Sequence, residues 1–253
     1  MKKLRVAVVF GGRSAEHEIS LLSARNVVAA LDKTKYEPVL IGIDRKGQWF
    51  LNDGSVRLVH PEDASHVALS DPSDQVGLLS NGPSSRLQRM NGEPLGRIDV
   101  LFPVLHGPYG EDGTIQGLAR LADLPCVGAG VLGSAVGMDK DVMKRLLRDA
   151  GVPIAPFVTV HAHTRAQVTF EATRELLGPL LYVKPANLGS SVGISRVDTR
   201  ADFDAAIGIA LKYDTKVIVE QAIQGREIEC SILGNDDPIA SVPGEVVPKD
   251  GFY

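Results

Sequence analysis

The sequence predicts a mixed fold, α/β over its first part and α+β over its second. Two observations carry this. Apolar runs at 6–10, 39–43 and 98–105 alternate with glycine-bearing turns and stretches of helical period, the pattern of βαβ units feeding a parallel sheet. Beyond Gly128 the composition shifts to a helix-like stretch and then to strands and helices in mixed order, as in an α+β layer.

The elements follow in order. Val6-Ala-Val-Val-Phe10 is a strand, Gly11-Gly12 a turn, and Ile19, Leu22, Val27 and Leu31 recur at helical spacing. The run 39–43 supplies a second strand, and sheets of this kind take ligands at the carboxyl ends of their strands. Residues 52–96, rich in Gly, Pro, Ser and Asp, read as an irregular excursion with room for a hairpin. A strand at 98–105, a loop at 106–113 and a helix at 114–122 complete the first part. Ser134 is then placed to cap a helix carrying Lys140, Met143, Leu146 and Leu147, which Gly151 and Pro153 stop. Strands are expected at 154–160, 180–184 and 194–197, and a helix at 202–211. Last, 217–221 is expected to pair with 227–233, with Asn235-Asp236-Asp237 as a turn before a strand at 239–247. These breaks divide the chain at 1–128, 129–216 and 217–253.

Composition narrows the function classes. The 253 residues are 44% hydrophobic and 23% charged, enough to build two ordinary cores. A net charge of -4 points to neither nucleic acid nor an anionic membrane, so an anionic ligand must be held by local groups. Cys126 and Cys230 lack CxxC spacing, which argues against a disulfide framework or a zinc site. The apolar run after Met1-Lys2-Lys3 stops at Gly11, too short for a signal-peptide core. No stretch reaches the roughly 18 apolar residues of a membrane helix, so a cytoplasmic location is expected.

Several residues sit where chemistry is possible. Gly189-Ser-Ser-Val-Gly193 follows a buried strand, and its small residues let backbone N–H groups and two hydroxyls approach phosphate oxygens, although a glycine-bearing hairpin has the same composition. Lys184 closes that strand, as a ligand cation or as a lysine that snorkels from a strand end. Lys140, taken alone, is a solvated helix residue. Glu16 lies at a helix N-terminus beyond the first strand, where it either meets a ligand or stabilises the helix dipole. His106 and the pair Glu111-Asp112 share a loop that a surface turn would also explain. Glu220, Glu227 and Glu229 fall on adjacent expected strands, and a solvated sheet face would hold them equally well.

The order of these features carries more than any one of them. His106-Gly-Pro-Tyr-Gly-Glu-Asp-Gly113 resembles the H-G-x-x-G-E-D-G signature of D-alanine:D-alanine ligases, a family of ATP-grasp carboxylate-amine ligases. Phe10-Gly-Gly-Arg-Ser-Ala-Glu-His-Glu-Ile-Ser20, Met138-Asp-Lys140, Val183-Lys-Pro-Ala-Asn-Leu-Gly-Ser-Ser-Val-Gly193 and Val219-Glu-Gln221 are similar to that family as well. The likeness covers nearly the whole chain and is weakest over 45–95.

The resemblance implies a Rossmann-like pre-ATP-grasp domain at 1–128, an ATP-grasp lid at 129–216, and the first strands of the C-terminal ATP-grasp subdomain at 217–253. It implies that Glu16 holds the ammonium of a first D-alanine, with Ser190 in the same network and His106 lining that site. Lys140 and Lys184 would bind ATP phosphates under a loop containing Ser191 and Val192. Glu220, Gln221, Ala222 and Ile223 would form the adenine edge, and Glu227 would meet the ribose. The implied reaction joins two D-alanines through a D-alanyl phosphate, using ATP and Mg2+ (or Mn2+), for peptidoglycan synthesis; a homodimer is allowed.

The family's Arg-x-Asp followed by Glu-x-Asn-Thr-x-Pro-Gly, which supplies its magnesium ligands, is absent, so metal ligands are expected beyond Tyr253. Phosphoryl transfer depends on charge neutralisation. Negligible turnover by these 253 residues alone is therefore expected, as are open apolar edges over 217–253. Two alternatives remain: a ligase taking D-lactate or D-serine second, and a non-catalytic ATP-binding fragment. A dinucleotide oxidoreductase is disfavoured because Gly11-Gly12 lacks the G-x-G-x-x-G pattern.

Overall fold

A computed structural model describes residues 2–52, 75–79 and 86–247. By contact density the chain forms two compact units. The first runs to Val152 and includes Ala186–Ser190; the second comprises Pro153–Pro185 and the chain from Ser191 onward.

The first unit is built on strand β1 (Leu4–Gly11), helix α1 (His17–Ala30), and strands β2 (Tyr36–Ile43) and β3 (Trp49–Asn52). A small antiparallel sheet follows, of β4 (Val76–Leu79), β5 (Arg86–Arg89) and β6 (Pro94–Arg97). Then come β7 (Val100–Pro103), α2 (Thr114–Leu121), α3 (Val131–Met138) and α4 (Lys140–Asp149). The main sheet has the order β3-β2-β1-β7, with β1 parallel to both neighbours and β3 antiparallel at the edge.

The unbroken apolar run of β1 is explained by burial on both faces. Ala7 and Val9 pack with Ile41, Leu101, Ile115 and Ala119, while Val6, Val8 and Phe10 pack with Leu21, Ala24 and Val104. Helix α1 covers one face and α2 the other. Burying Phe10 or Leu21 contributes roughly 1.5–3 kcal/mol each.

Four local expectations are corrected. Ile19 is 52% exposed, and α1 instead buries His17, Ser20, Leu21 and Ala24; the polar side chains at 17 and 20 bond backbone groups at the end of β1 and in the turn after it, and so belong inside. The 52–96 excursion is not irregular throughout: residues 76–79, 86–89 and 94–97 form β4 to β6, antiparallel as the hairpin it had room for would be, and Val76 joins the core; residues 53–74 and 80–85 lie outside the described set. Ser134 is buried inside α3 and caps nothing: the break falls at Asp139, whose extended backbone and carboxylate, accepting from Val142 N–H, start α4. The fourth concerns β11, below.

The second unit contains β8 (Phe157–His161), α5 (Phe170–Leu177), β9 (Leu181–Pro185), β10 (Ser195–Val197), α6 (Arg200–Ala210) and β11 (Lys216–Gln221). Its sheet has the order β10-β9-β11-β8 and is antiparallel throughout. Helix α5, which the sequence reading lacked, is capped by the Thr169 hydroxyl accepting from Ala172 N–H. Phe170, Leu177, Phe203, Ile207 and Ala210 pack on Leu181, Val183, Val217 and Val219.

Strand β11 therefore lies between β8 and β9 and does not pair with residues 227–233. Those residues form β12 (Glu227–Glu229) and β13 (Ile232–Leu233), which pair with β15 (Gly244–Val246) and β14 (Ile239–Ala240) respectively. The Asn235-Asp236-Asp237 turn does join β13 to β14. Of the 217–253 stretch expected to leave apolar surface open, Val217, Ile218 and Val219 are instead fully buried, while Ile228, Ile232, Leu233, Ile239, Val242 and Val247 are exposed.

Candidate active site

In the first unit the site grows from the carboxyl end of β1. Gly11 and Gly12 both have positive φ, and a Cβ on Gly11 would lie 2.3 Å from the Ile43 carbonyl oxygen, so the chain can leave the sheet here only as glycine. Two buried side chains fix the turn. Ser20 accepts from Gly11 N–H (2.7 Å) and donates to the Val104 carbonyl, tying β1 to β7, and His17 Nδ1 bonds the Gly12 carbonyl at 2.7 Å. Neither was singled out from the sequence, although a serine and a histidine on the buried face of α1 are a usable signal.

Glu16, just before α1, makes no side-chain cap on that helix. Its N–H donates to the Ser14 hydroxyl (3.1 Å), and its carboxylate accepts a hydrogen bond from the Ser190 hydroxyl. A Cβ on Gly107 would stand 2.8 Å from Glu16 Oε2, and Gly107 has φ +70°, so glycine there lets the loop pass against the carboxylate.

The 106–113 loop is internally braced. Glu111 accepts from Gly107 N–H at 2.7 Å; Asp112 accepts from Tyr109 N–H at 2.8 Å and Thr114 N–H at 2.9 Å; Gln116 Nε2 donates to the Gly110 carbonyl at 2.8 Å. Both acids thus shape the loop. Burial pushes the Asp112 carboxyl up, but the bonds from Tyr109 and Thr114 outweigh it and hold the group below the usual aspartate range. His106 Nε2 lies 2.9 Å from the Ser23 hydroxyl, which sets the ring on α1. His106 and Lys140 line one cavity of about 690 Å³, with Leu105, Met138, Met143 and Leu188 as apolar walls.

In the second unit period-two alternation puts Tyr182, Lys184, Ile218 and Glu220 on the sheet face away from Phe203 and Ile207, with Lys184 opposite Ile218 and Glu220 opposite Tyr182. The diagonal pair closes: Lys184 Nζ bonds Glu220, and the ammonium lies 5.7 Å from the Tyr182 ring centroid. Glu220 is 7% exposed. Lys184, Ser191, Glu220, Gln221, Ile223 and Glu227 all line one cleft of about 620 Å³. Val192 and Ala222 are outside that lining, Ala222 bonding the Leu180 carbonyl through its N–H at 3.0 Å. Gly193, at φ +72°, admits no Cβ because Tyr213 and Pro185 would lie within 3 Å of it. Among the described residues, no three His, Cys, Asp or Glu side chains gather to hold a metal ion.

Comparison with known proteins places this architecture. A family profile described as D-ala D-ala ligase N-terminus matches residues 5–129, and one described as D-ala D-ala ligase C-terminus matches 146–253. The chain is 50% identical to D-alanine-D-alanine ligase A of Escherichia coli (strain K12) over 254 residues, covering all of this chain and 70% of the relative. A solved D-alanine-D-alanine ligase from Coxiella burnetii superposes with TM-score 0.85 at 38% identity, covering 97% of this chain and 71% of that one. The VanG D-Ala:D-Ser ligase from Enterococcus faecalis superposes with TM-score 0.82 at 34% identity, over 96% of this chain and 70% of that one.

The fold is thus that of an ATP-grasp ligase, a Rossmann-like sheet followed by an antiparallel α+β unit. The chain belongs to the D-alanine-D-alanine ligase family.

Proposed function

We propose that this chain serves the ATP-dependent ligation of two D-alanines, through a D-alanyl phosphate, to D-alanyl-D-alanine, ADP and phosphate. The single observation that supports this best is the Glu16 carboxylate, oriented by the Ser190 hydroxyl and passed closely by Gly107 at the carboxyl end of a parallel sheet. A fixed carboxylate there suits the ammonium of an amino acid, and His106 completes the lining. In this reading Glu16 and Ser190 hold the first D-alanine while one of its carboxylate oxygens attacks the γ-phosphorus of ATP, whose bond to the bridging oxygen breaks as ADP leaves. The amine of the second D-alanine then attacks the carbonyl carbon, and phosphate leaves. The tetrahedral oxyanion is a point where backbone amides and cations lower the barrier.

ATP fits the second unit's cleft, whose volume lies within the range of roughly 300–1,000 Å³ usual for ligand sites. Lys184, with Lys140, takes the phosphates; Ser191 and Val192 belong to the covering loop; Glu220, Gln221, Ala222 and Ile223 form the adenine edge; Glu227 meets the ribose. ATP brings a divalent cation, magnesium or manganese, which neutralises phosphate charge; the described residues offer no cluster of three His, Cys, Asp or Glu to hold it. Residues 1–128 form the substrate-binding part, 129–216 the lid and 217–253 the start of the C-terminal subdomain. The product serves peptidoglycan synthesis in the cytoplasm, where ATP is available, and the protein acts on small molecules, with no role for nucleic acid or membrane and with a homodimer allowed. No described helix is long and apolar enough to cross a membrane.

D-Alanine as second substrate is supported by the 50% identity with a ligase named for D-alanine. The test is product analysis by mass spectrometry on a hybrid in which this chain replaces the matching 254 residues of the E. coli ligase. D-Alanyl-D-alanine formed from ATP and D-alanine, in preference to D-alanyl-D-serine and D-alanyl-D-lactate, is expected. A folded hybrid that preferred either competing acceptor would contradict the proposal.

A further inference from the structure

Lys140 does more in the first unit than line a cavity. Its backbone N–H donates to the Ala186 carbonyl at 3.0 Å, and its ammonium donates to the carbonyls of Ala186 (3.4 Å) and Leu188. Three hydrogen bonds from one residue thus hold two carbonyls of the short segment 186–190. Two positions beyond Leu188 stands Ser190, at φ +47°, with its hydroxyl on Glu16. A non-glycine residue in the left-handed region keeps that conformation only where its surroundings restrain it. Ser190 is itself exposed, so beyond its bond to Glu16 the restraint comes through the chain on either side.

We infer that Lys140 is a positioning residue for the amino-acid site: by holding the Ala186 and Leu188 carbonyls it sets the 186–190 segment, and with it the Ser190 hydroxyl, against Glu16. Ammonium-to-carbonyl bonds are charge-assisted and stronger than neutral ones, so the side chain is the dominant part of the tether. The inference rests on the proposed reading only in taking D-alanine as the ligand of Glu16. It assigns Lys140 a role before any nucleotide arrives, separate from a contact with phosphate.

The test compares wild type, Lys140→Met and Lys140→Arg without nucleotide, by backbone 15N order parameters and by calorimetric titration with D-alanine. In wild type, residues 187–190 are expected near the rigid value of about 0.85; in Lys140→Met they fall below about 0.6 while β1 and β7 are unchanged. D-Alanine affinity falls about tenfold in Lys140→Met, the effect of one weakened charge-assisted contact. Lys140→Arg, whose guanidinium also donates to carbonyls, restores both readouts. If Lys140→Met loosens β1 as well, Lys140→Gln takes its place, with the same selective loss expected. Unchanged order at 187–190 and unchanged D-alanine affinity in the neutral variants would overturn the inference, as would failure of arginine to rescue. Absence of D-alanine binding in wild type would sink the ligand reading alone, because the order parameters still decide the tether.

Discussion

The Ser190 hydroxyl donates to the Glu16 carboxylate across 174 residues of sequence. The two come from different loops, one leaving β1 and one following β9, and both loops are glycine-bearing because the backbone must turn sharply there. A carboxylate that accepts from a fixed hydroxyl keeps its remaining lone pairs aimed in a set direction, which is the requirement for gripping an ammonium group.

Removing that hydroxyl should weaken amino-acid binding without unfolding the protein, since Ser190 is exposed. Ser190→Ala is expected to lose roughly 1.5–3 kcal/mol of D-alanine binding, about 10- to 150-fold in Kd. Calorimetric titration measures it, with an unchanged thermal midpoint as the control.

Two glycines, one in the 106–113 loop and one in the helix after it, should respond in opposite senses. Gly107→Ala places a methyl group 2.8 Å from Glu16 Oε2 at φ +70°. It should cost about 1–2 kcal/mol of stability from the left-handed backbone and displace the carboxylate, lowering D-alanine affinity. Gly117 lies inside α2 with nothing within 4 Å of its Cβ direction. Gly117→Ala should therefore stabilise the protein by up to about 1 kcal/mol. Chemical denaturation of both variants reads the two signs.

The Lys184–Glu220 pair is largely buried, with side chains 23% and 10% exposed. Lys184→Met removes this cation from the Glu220 carboxylate and should destabilise the protein by about 3 kcal/mol, the low end for a buried pair because lysine keeps some solvent. Lys184→Met/Glu220→Leu should recover most of that loss. A double-mutant cycle by denaturation distinguishes coupling from independent effects.

Asp112 gives a pH signature. Because its folded carboxyl titrates below the unfolded one, its contribution is present above the unfolded value of about 4 and is lost as pH falls through the folded value. Asp112→Asn should thus be less stable than wild type at neutral pH, with the gap closing on acidification below about pH 4. Denaturation midpoints measured from neutral to acid pH record this convergence.

Much of this was legible in the residues. The continuous apolar run at 6–10 announced a strand of a parallel sheet, whose burial on both faces the structure adds, and the glycines after it and around Ser190 marked turns. What pattern could not supply was partners. Val217, Ile218 and Val219 read as a strand, yet nothing local says that it lies between β8 and β9, since sheet order is fixed by contacts distant in sequence. The short strands of 75–97 carry too few apolar residues to stand out from turn chemistry. Helix α5 was readable in principle: Thr169 precedes Phe170, Thr173 and Leu177, which are buried at helical spacing. The bracing of the 106–113 loop by Glu111 and Asp112 needed coordinates, because acids in a loop look alike whether they face ligand or backbone N–H groups.

The most direct test is the affinity of the nucleotide-free protein for D-alanine, measured by calorimetry in wild type and Glu16→Gln. Saturable binding of D-alanine that falls at least about tenfold in the variant is expected, since a charged contact to the ammonium is lost. Equal affinity in the two proteins, or no D-alanine binding by wild type, would contradict the assignment of Glu16 as the amino-acid anchor.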